Sequence, residues 1–419
     1  MVNFNLNNNF LKKEIVLFIL FYLSLLVSFY LGENSTGGAI IDYYGQKKVS
    51  QDFATSFSHT LLNYDDYATR HSPILIIFLS FFEKLSISDD FIRLIHLHLC
   101  LLLPLLFYQT LKIKFTNIDN WVLFLLSGLI FLSPTFRSLS IWPDSRLFGL
   151  FFFILSLYFY LNFEKYKTAK FSYLTIIFLA ISSYFSPNFS VFGIFYIIKF
   201  FIYYSFKSIE FSKILFLNLI LALPAFYYLF ILKINFMDKP AGIGINETSI
   251  IFRNIFNQIL IIPTIIIFYI FPFLLSKIIN FKIKFDFKSL LITSIIFFIS
   301  LYYFDYNYDY TGGGIFFKIS FFIFENNILF YLISFLSIYI LTQMVGSKFT
   351  NLLILILILL NNPQETIYHK YYDPFLLISF FLFFNLNIDL KNLNKNKKFI
   401  FLYIYFLCFL LLSISKIYV

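Results

Sequence analysis

Long apolar runs alternate with short polar segments along the whole chain. A membrane-spanning helix needs about 17–25 mostly apolar residues, and runs of roughly this length recur from residue 15 to residue 415. Within a run such as 352–360 the apolar positions are continuous, whereas a strand of a membrane β-barrel would alternate. The pattern therefore predicts about 13 transmembrane helices, at 15–31, 91–111, 121–140, 146–163, 171–187, 189–206, 214–232, 256–276, 289–304, 326–345, 349–362, 374–388 and 399–415.

Composition strengthens this interpretation. Hydrophobic residues make up 60% of the 419 residues and charged residues only 13%, against about 25% charged in an average soluble domain. A soluble enzyme, a disordered protein and a nucleic-acid binder are excluded on this basis. The predicted fold class is all-α, a polytopic membrane protein that forms one integral-membrane domain over residues 1–419.

The apolar segment 73–85 has two interpretations, a fourteenth span or a helix lying at the membrane interface. Lysine and arginine concentrate in cytoplasmic loops. If 73–85 does not cross, more than half of the 32 basic residues fall in short loops on the side of the N-terminus; if it crosses, every later lysine cluster faces outward. We therefore predict a juxtamembrane helix on the outer surface, with the N-terminus in the cytoplasm. The first span is predicted to stay in the protein, because no small-residue cleavage site follows it.

This topology places every arginine on the outer side, whereas the inner side is basic through lysine alone. A guanidinium group grips phosphate or carboxylate with a fixed fork of donors, so the outer face is where phosphate chemistry is expected. The longest polar stretch, 32–90, also lies there. The five arginines are Arg70, Arg93, Arg137, Arg146 and Arg253.

Two stretches of the N-terminal half resemble the GT-C glycosyltransferases. In the first, Asp42 is followed by Arg70-His71-Ser72-Pro73, an apolar segment and Ser88-Asp89-Asp90-Phe91-Ile92-Arg93. In the second, Ser133-Pro134 and Trp142-Pro143-Asp144-Ser145-Arg146 precede a phenylalanine-rich span. The order of these residues is similar to that of protein O-mannosyltransferases and of the lipid A aminoarabinose transferase. The likeness covers a catalytic half at 15–206 and leaves a variable helical half at 207–419.

The resemblance implies a transferase in a bacterial inner membrane. Such an enzyme moves a sugar from a polyprenyl-phosphate-linked donor to a lipid, glycan or protein acceptor at the outer face, within a shell of membrane lipids. The reaction needs a carboxylate to deprotonate or orient the acceptor, cations to stabilise the leaving phosphate and a water-poor pocket. No nucleic-acid partner is implied.

The candidate acids are Asp42, Asp52 and Asp144. Asp42 is flanked by apolar residues near the membrane surface and occupies the place of the family's first acid, so it is the first choice for the base; a solvated loop residue is the alternative. Asp52 is the second choice. Asp144 is interpreted either as a second acid that orients the acceptor or binds a metal, or as the N-cap of the helix that follows.

The candidate substrate ligands are basic and aromatic. Arg70 and Arg93 would hold the donor phosphate with His71 as a hydrogen-bond donor, or Arg93 would extend to lipid headgroups.

Two further groups of residues are open to two interpretations each. Arg137 and Arg146 are either phosphate ligands or counter-ions of Asp144. His369, Lys370 and Tyr371 belong to a late basic and aromatic loop that either touches a substrate or is an ordinary loop.

Cofactors and competing functions remain open at the level of sequence. The chain has no metal-binding or nucleotide-binding motif, so no cofactor is certain, although a divalent metal between Asp42 and Asp144 is possible. A transporter or lipid flippase would place charges or broken helices at mid-membrane, whereas ionisable residues here crowd the span ends. An O-antigen polymerase or ligase would place its largest outer loop late in the chain.

Overall fold

The computed structural model describes residues 8–67, 71–232, 254–279, 281–307, 312–346, 348–362, 364, 366–391 and 396–415. These residues are helical, without a β-strand; one isolated antiparallel bridge joins Ile279 and Ile388. The all-α class is confirmed. Arg70, Arg253 and the stretch 308–311 lie outside the described residues.

The helices follow one another with short connections. Four 3-10 turns, at Tyr64–Tyr67, Leu129–Leu132, Pro187–Phe192 and His369–Tyr371, and one π-helical turn, at Tyr227–Ile231, adjoin them. In the described ranges the α-helices are α1 (Asn8–Tyr30), α2 (Ala39–Thr55), α3 (Phe57–Leu62), α4 (Pro73–Lys84), α5 (Asp89–Cys100), α6 (Leu102–Lys114), α7 (Asn120–Gly128), α8 (Pro134–Ile141), α9 (Ser145–Tyr166), α10 (Ala169–Phe185), α11 (Gly193–Tyr204), α12 (Ile209–Phe226), α13 (Ile255–Leu275), α14 (Phe287–Tyr302), α15 (Ile315–Phe324), α16 (Ile328–Val345), α17 (Phe349–Leu360), α18 (Phe375–Leu382) and α19 (Asn396–Ile414).

Seven of the described helical stretches are long and apolar enough to cross a membrane, so the chain is a polytopic membrane protein. A bent helix pair would be an eighth span, and further apolar helices of 10–17 residues are shorter than a standard span. The predicted number of 13 is therefore not confirmed. The seven are Lys13–Tyr30, Asp89–Lys114, Ser145–Tyr166, Pro187–Tyr204, Ile209–Ile231, Ile255–Leu275 and Ile328–Val345.

The bent pair is the predicted span 121–140, which turns by 66° between α7 and α8. Pro134 stands at the first position of α8, where a missing N–H costs nothing. Ser133 caps the new helix, because its Oγ accepts a hydrogen bond from the Phe136 N–H at 2.9 Å. The Ser-Pro pair therefore ends one helix and starts the next.

The predicted span 374–388 is only half helical. Its helix, α18, has eight residues, all of them buried, and the chain remains buried as far as Phe384. Lys114 Nζ donates hydrogen bonds to the carbonyl oxygens of Leu382 at 3.1 Å and Phe384 at 2.9 Å. Buried carbonyl groups outside a helix need other hydrogen-bond donors, and Lys114 supplies them here. The short helix α15, between the predicted spans 289–304 and 326–345, was not predicted.

The juxtamembrane segment 73–85 forms α4. A helix of 12 residues is about 18 Å long, too short to cross a hydrocarbon core of about 30 Å. Leu75, Ile76 and Leu79 are buried, and α4 packs against α2.

We expect cysteines placed on either side of α4 to label from the same face of the membrane, because the helix is too short to cross. Ser58 and Ser86 are both exposed, which makes them suitable positions in a background with Cys100→Ala and Cys408→Ala. A membrane-impermeant maleimide added to intact cells measures the accessibility. Labelling of only one of the two positions would contradict the assignment.

The polar segments collect at two opposite ends of the helix bundle. At one end, called the Asp42 end, the contacts are Asp42 with Lys370, Asn257 with Asp305, and Asn254 with the Gln364 carbonyl. At the other, called the Lys114 end, they are Lys114 with Leu382, Lys348 with the Asn385 carbonyl, and Gln343 with the Lys284 carbonyl. The loops predicted on one side of the membrane thus meet at the Asp42 end.

Candidate active site

Asp42 lies in the first turn of α2, close to the end of the first long helix. Its backbone N–H donates to the Gly38 carbonyl at 3.0 Å. Gly38 lies beside the site, since a Cβ added there would be in van der Waals contact with Lys370 Nζ at 3.4 Å and Asp42 Oδ2 at 3.9 Å. The Asp42 side chain is 29% exposed, so its carboxylate remains reachable.

Asp144 and Arg146 stand together where α9 begins. Asp144 is the N-cap, because its Oδ1 accepts from the Arg146 backbone N–H at 2.8 Å. The same carboxylate receives the Arg146 guanidinium in a two-pronged pair, Nε at 3.0 Å and Nη2 at 2.9 Å. Asp144 is 1% exposed. Asp144 is therefore both a helix cap and a counter-ion. Its two contacts with the guanidinium hold the Arg146 side chain in one orientation.

Lys370 approaches the same place from the far end of the chain, on the 3-10 turn His369–Tyr371. Its Nζ lies 3.0 Å from Asp42 Oδ2, and Arg146 Nη2 lies 3.3 Å from the same oxygen. The Tyr371 ring covers the guanidinium of Arg146, with its centroid 4.9 Å from Cζ. We call Asp42, Asp144, Arg146, Lys370 and Tyr371 the acid–base cluster.

The neighbouring charges of the acid–base cluster shift the pKa values of its members. Burial by itself would raise the pKa of Asp42, but the Lys370 ammonium and the Arg146 guanidinium outweigh it, so the pKa lies below its usual range. The pKa of Asp144 is held far lower still, because Arg146 outweighs its burial. Burial and the neighbouring guanidinium lower the pKa of Lys370. Both carboxylates are therefore ionised at neutral pH.

The lowered pKa of Asp42 makes folding stability depend on pH. Its ionised form stabilises the folded state fully above the unfolded pKa of about 3.9, and this contribution is lost as the pH falls through the lower folded pKa. We expect Asp42→Asn to remove this part of the acid dependence. Thermal unfolding of the parent and of Asp42→Asn between pH 3 and pH 7 measures it; two parallel curves would contradict the ion-pair assignment.

One donor of the acid–base cluster is uncommitted. Arg146 Nη1 is buried and has no hydrogen-bond partner among the described residues. A buried donor left without a partner costs about 1–3 kcal/mol, so this nitrogen is suited to bind an incoming anion. The two acids and two cations balance in charge, and an anion would compete with Asp42 for Lys370 and Arg146.

Arg137 does not belong to the acid–base cluster. It was predicted to be a phosphate ligand or a counter-ion of Asp144, and its carboxylate partner in the structure is Glu33 instead. Its Nε lies 3.1 Å from both carboxylate oxygens of Glu33, and Nη2 lies 3.0 Å from Oε2, with both side chains 8% exposed. Ser24, Ser28 and the Phe131 carbonyl accept its remaining donors. The guanidinium is fully occupied in joining α8 to the first helix.

Arg93 packs against the turn that precedes Asp144. Its Cζ lies 3.6 Å from the ring centroid of Trp142, and its Nε donates to the Ile141 carbonyl at 3.2 Å. Its Nη1 pairs with Asp90 at 3.1 Å. Its Nη2 is buried without a hydrogen-bond partner among the described residues. The structure therefore places Arg93 against the turn before Asp144, and the predicted phosphate contact stays a prediction.

The remaining candidates separate into near and distant residues. His71 is within electrostatic range of Asp42 and Asp144, and its pKa is lowered by burial, so it is a neutral imidazole beside the acid–base cluster. Asp52 is ten residues further along α2, about 15 Å from Asp42, and bonds to Tyr67. Arg70 lies outside the described residues.

His369 faces the protein interior. Its Nε2 shares a hydrogen bond with the Tyr269 hydroxyl at 2.9 Å, and its ring packs on Phe268 and Phe409. Burial lowers its pKa to about 3, so it is neutral. It anchors the turn that carries Lys370.

Two acidic residues that hold the candidate residues in place were not predicted from the sequence. Glu33 is the partner of Arg137; its place two residues after the first span was a signal, but Asp42 was taken as the first acid. Asp373 is buried and raised in pKa by that burial, and it ties the Lys370 turn to α8 by accepting from Ser133 Oγ at 2.6 Å and from the Thr135 N–H at 2.9 Å.

The sequence leaves open a divalent metal between Asp42 and Asp144. In the part of the chain that the structure describes, no three His, Cys, Asp or Glu side chains group as metal ligands. The two carboxylates instead share the Arg146 guanidinium.

Comparison of the chain with protein-family models, with curated proteins and with solved structures found no match.

Proposed function

We propose that the protein is a membrane glycosyltransferase of the GT-C kind, which moves a sugar from a polyprenyl-phosphate-linked donor to an acceptor at the outer face of the membrane. The observation that carries the proposal is the acid–base cluster. Three distant parts of the chain place one reachable carboxylate beside two cations at the bundle end where the predicted outer loops meet.

Arg146 and Lys370 are the groups suited to the donor phosphate. Arg146 has a buried donor without a partner among the described residues, and Asp144 with Tyr371 fixes its orientation. A guanidinium held in place before the reaction stabilises growing charge on a leaving phosphate without reorganisation. Lys370 supplies a second positive charge at the same Asp42 oxygen that Arg146 contacts.

Asp42 is suited to the acceptor hydroxyl. While it is paired with Lys370 and Arg146, its low pKa makes it a weak base. A donor phosphate that draws these cations away would raise that pKa, since the opposite charges that lower it would be shared. The base would then gain strength only when the donor is bound.

The decisive experiment is incubation of the purified protein in lipid nanodiscs with a panel of polyprenyl-phosphate sugars and hydroxyl acceptors. Release of the lipid phosphate, together with glycosylated acceptor, supports the proposal. Lys370→Met is the informative variant, and Lys213→Met, an exposed lysine paired with Glu210, is its control. If no donor in the panel releases lipid phosphate above the rate without protein, the proposal fails.

A lipid flippase is the second candidate, because one observation favours it. The half-unwound segment that follows α18 is typical of transporters, whose broken helices line a substrate path. The carbonyl oxygens of that segment are bound by Lys114, however, at the end opposite the acid–base cluster. Movement of a fluorescent polyprenyl-phosphate lipid across vesicles, without any transfer product, would favour the flippase.

A further inference from the structure

Buried polar atoms without a hydrogen-bond partner concentrate in the segment 361–372, among the residues that the structure describes. The residues Asn361, Asn362, Thr366 and Tyr372 are at most 2% exposed. Leaving such atoms unpaired costs about 1–3 kcal/mol each, and native proteins satisfy nearly all of them. The atoms are Asn361 Oδ1, Asn362 Oδ1 and Nδ2, Thr366 Oγ1, His369 Nδ1 and the Tyr372 hydroxyl.

Backbone groups of Asn362, Gln364 and Ile367 have hydrogen-bond partners, which distinguishes the described part of this segment from a loosely packed loop. Gln258 Nε2 donates to the Asn362 carbonyl at 2.7 Å, and Asn254 Nδ2 donates to the Gln364 carbonyl at 2.5 Å. The Ile367 N–H donates to the Tyr306 hydroxyl at 3.1 Å. Asn254, Gln258 and Tyr306 thus fix the course of the chain. The atoms named above keep no hydrogen-bond partner among the described residues.

The chemistry of these groups indicates a neutral ligand. An anion site needs donors and a cation site needs acceptors, whereas this set mixes amide oxygens, an amide NH₂ and hydroxyls, with no formal charge. A ring with several hydroxyl groups, each both donor and acceptor, matches such a set. A buried site built for hydroxyl groups also discriminates strongly against molecules that lack them.

The segment is continuous with the acid–base cluster. Lys370 and Tyr371 lie within it, and the Tyr371 hydroxyl donates to Gln364 Oε1 at 2.9 Å while its ring covers Arg146. A ligand whose phosphate reaches Lys370 and Arg146 would therefore extend its next group toward 361–372.

We infer that the side chains of Asn361, Asn362, Thr366 and Tyr372, backed by the first turns of α13, bind the neutral sugar ring of the lipid-phosphate-linked donor. The inference rests on the proposed function and adds the part of the site that selects the sugar. It assigns a binding role to the C-terminal half, and predicts that Asn362 and Tyr372 determine which sugar is accepted.

The test compares glycosyl 1-phosphates with inorganic phosphate on the full chain in nanodiscs. Trp142 lies two residues from Asp144, and the only other tryptophan, Trp121, begins α7, so Trp142 fluorescence in a Trp121→Phe background reports binding. We expect at least one hexose or pentose 1-phosphate to bind at least tenfold more tightly than phosphate. Asn362→Leu and Tyr372→Phe should abolish that advantage and leave phosphate affinity unchanged.

Tyr196→Phe is the matched control. Tyr196 is fully buried, and its hydroxyl meets Ser156, about 15 Å along α9 from Arg146. The inference is overturned if no sugar phosphate binds better than phosphate, or if both variants keep the advantage. Ordered water alone would give no sugar preference and a lower melting temperature for Asn362→Leu.

Methyl glycosides of the same sugars, observed by saturation-transfer NMR, separate this inference from the proposed function. Glycoside binding that is lost in Asn362→Leu supports the sugar site even if lipid-phosphate release fails. Lipid-phosphate release without any glycoside binding overturns the sugar site alone.

Discussion

Asp42→Asn is expected to lower sugar transfer by about 10²–10⁴-fold, the usual contribution of a positioned general base. Asparagine keeps the size of the side chain and cannot accept the acceptor's proton. Arg146 keeps its pair with Asp144 in the variant, so the site should stay assembled. The measurement is the initial rate of lipid-phosphate release with the donor that the panel identifies.

Asp52→Asn is the control for that experiment, because it changes the same residue type on the same helix about 15 Å away. Its transfer rate should match the parent. Undiminished transfer by Asp42→Asn would remove this carboxylate from the mechanism, and equal losses in both variants would indicate a general effect on α2.

Arg137→Met is expected to destabilise the fold by about 3–5 kcal/mol, the cost of breaking a buried ion pair from one side. The Glu33 carboxylate, 8% exposed, would lose its bidentate partner and stay buried with its charge. The double variant Glu33→Gln with Arg137→Met should regain a large part of the loss, because it leaves no unpaired charge. Thermal unfolding of the detergent-solubilised protein measures all three.

Lys213→Met is the comparison for the stability experiment. Lys213 pairs with Glu210 at 3.0 Å but is 56% exposed, and exposed pairs contribute about 0–1 kcal/mol. Its melting temperature should hardly change. An Arg137→Met protein as stable as the parent would show that the Glu33 pair does not hold α8 to the first helix.

The distinction between Arg137 and Arg146 has a functional meaning. Both lie at the same end of the bundle and both bind a carboxylate in a two-pronged manner. All donor groups of Arg137 are used by the protein, whereas Arg146 keeps Nη1 without a partner among the described residues. Of these two arginines only Arg146 has a donor left for a ligand, so we propose a structural role for Arg137 and anion binding for Arg146.

The class of protein could be predicted from the sequence alone, and so could the grouping of polar loops at the ends of the spans. Apolar runs must cover their own backbone in lipid, so they become helices, and the loops between them gather ionisable groups at the span ends. Asp144, Arg146 and Lys370 each lie near the end of a span, whereas Asp42, eleven residues past the first span, was chosen by the resemblance to the GT-C pattern. The bend at Ser133 was not predicted from the Ser-Pro pair, although the local chemistry explains it.

The ion-pair and hydrogen-bond partners of these side chains follow from the tertiary structure and not from the sequence. Asp42 and Lys370 are 328 residues apart, and no local pattern distinguishes a lysine that reaches a distant carboxylate from one that remains in solvent. The same reason explains Arg137, Arg93 and His369, whose roles depend on Glu33, Trp142 and Tyr269. It also explains the half-unwound segment after α18, because an apolar run appears helical in sequence whether or not a lysine from another helix is available to bind its carbonyl groups.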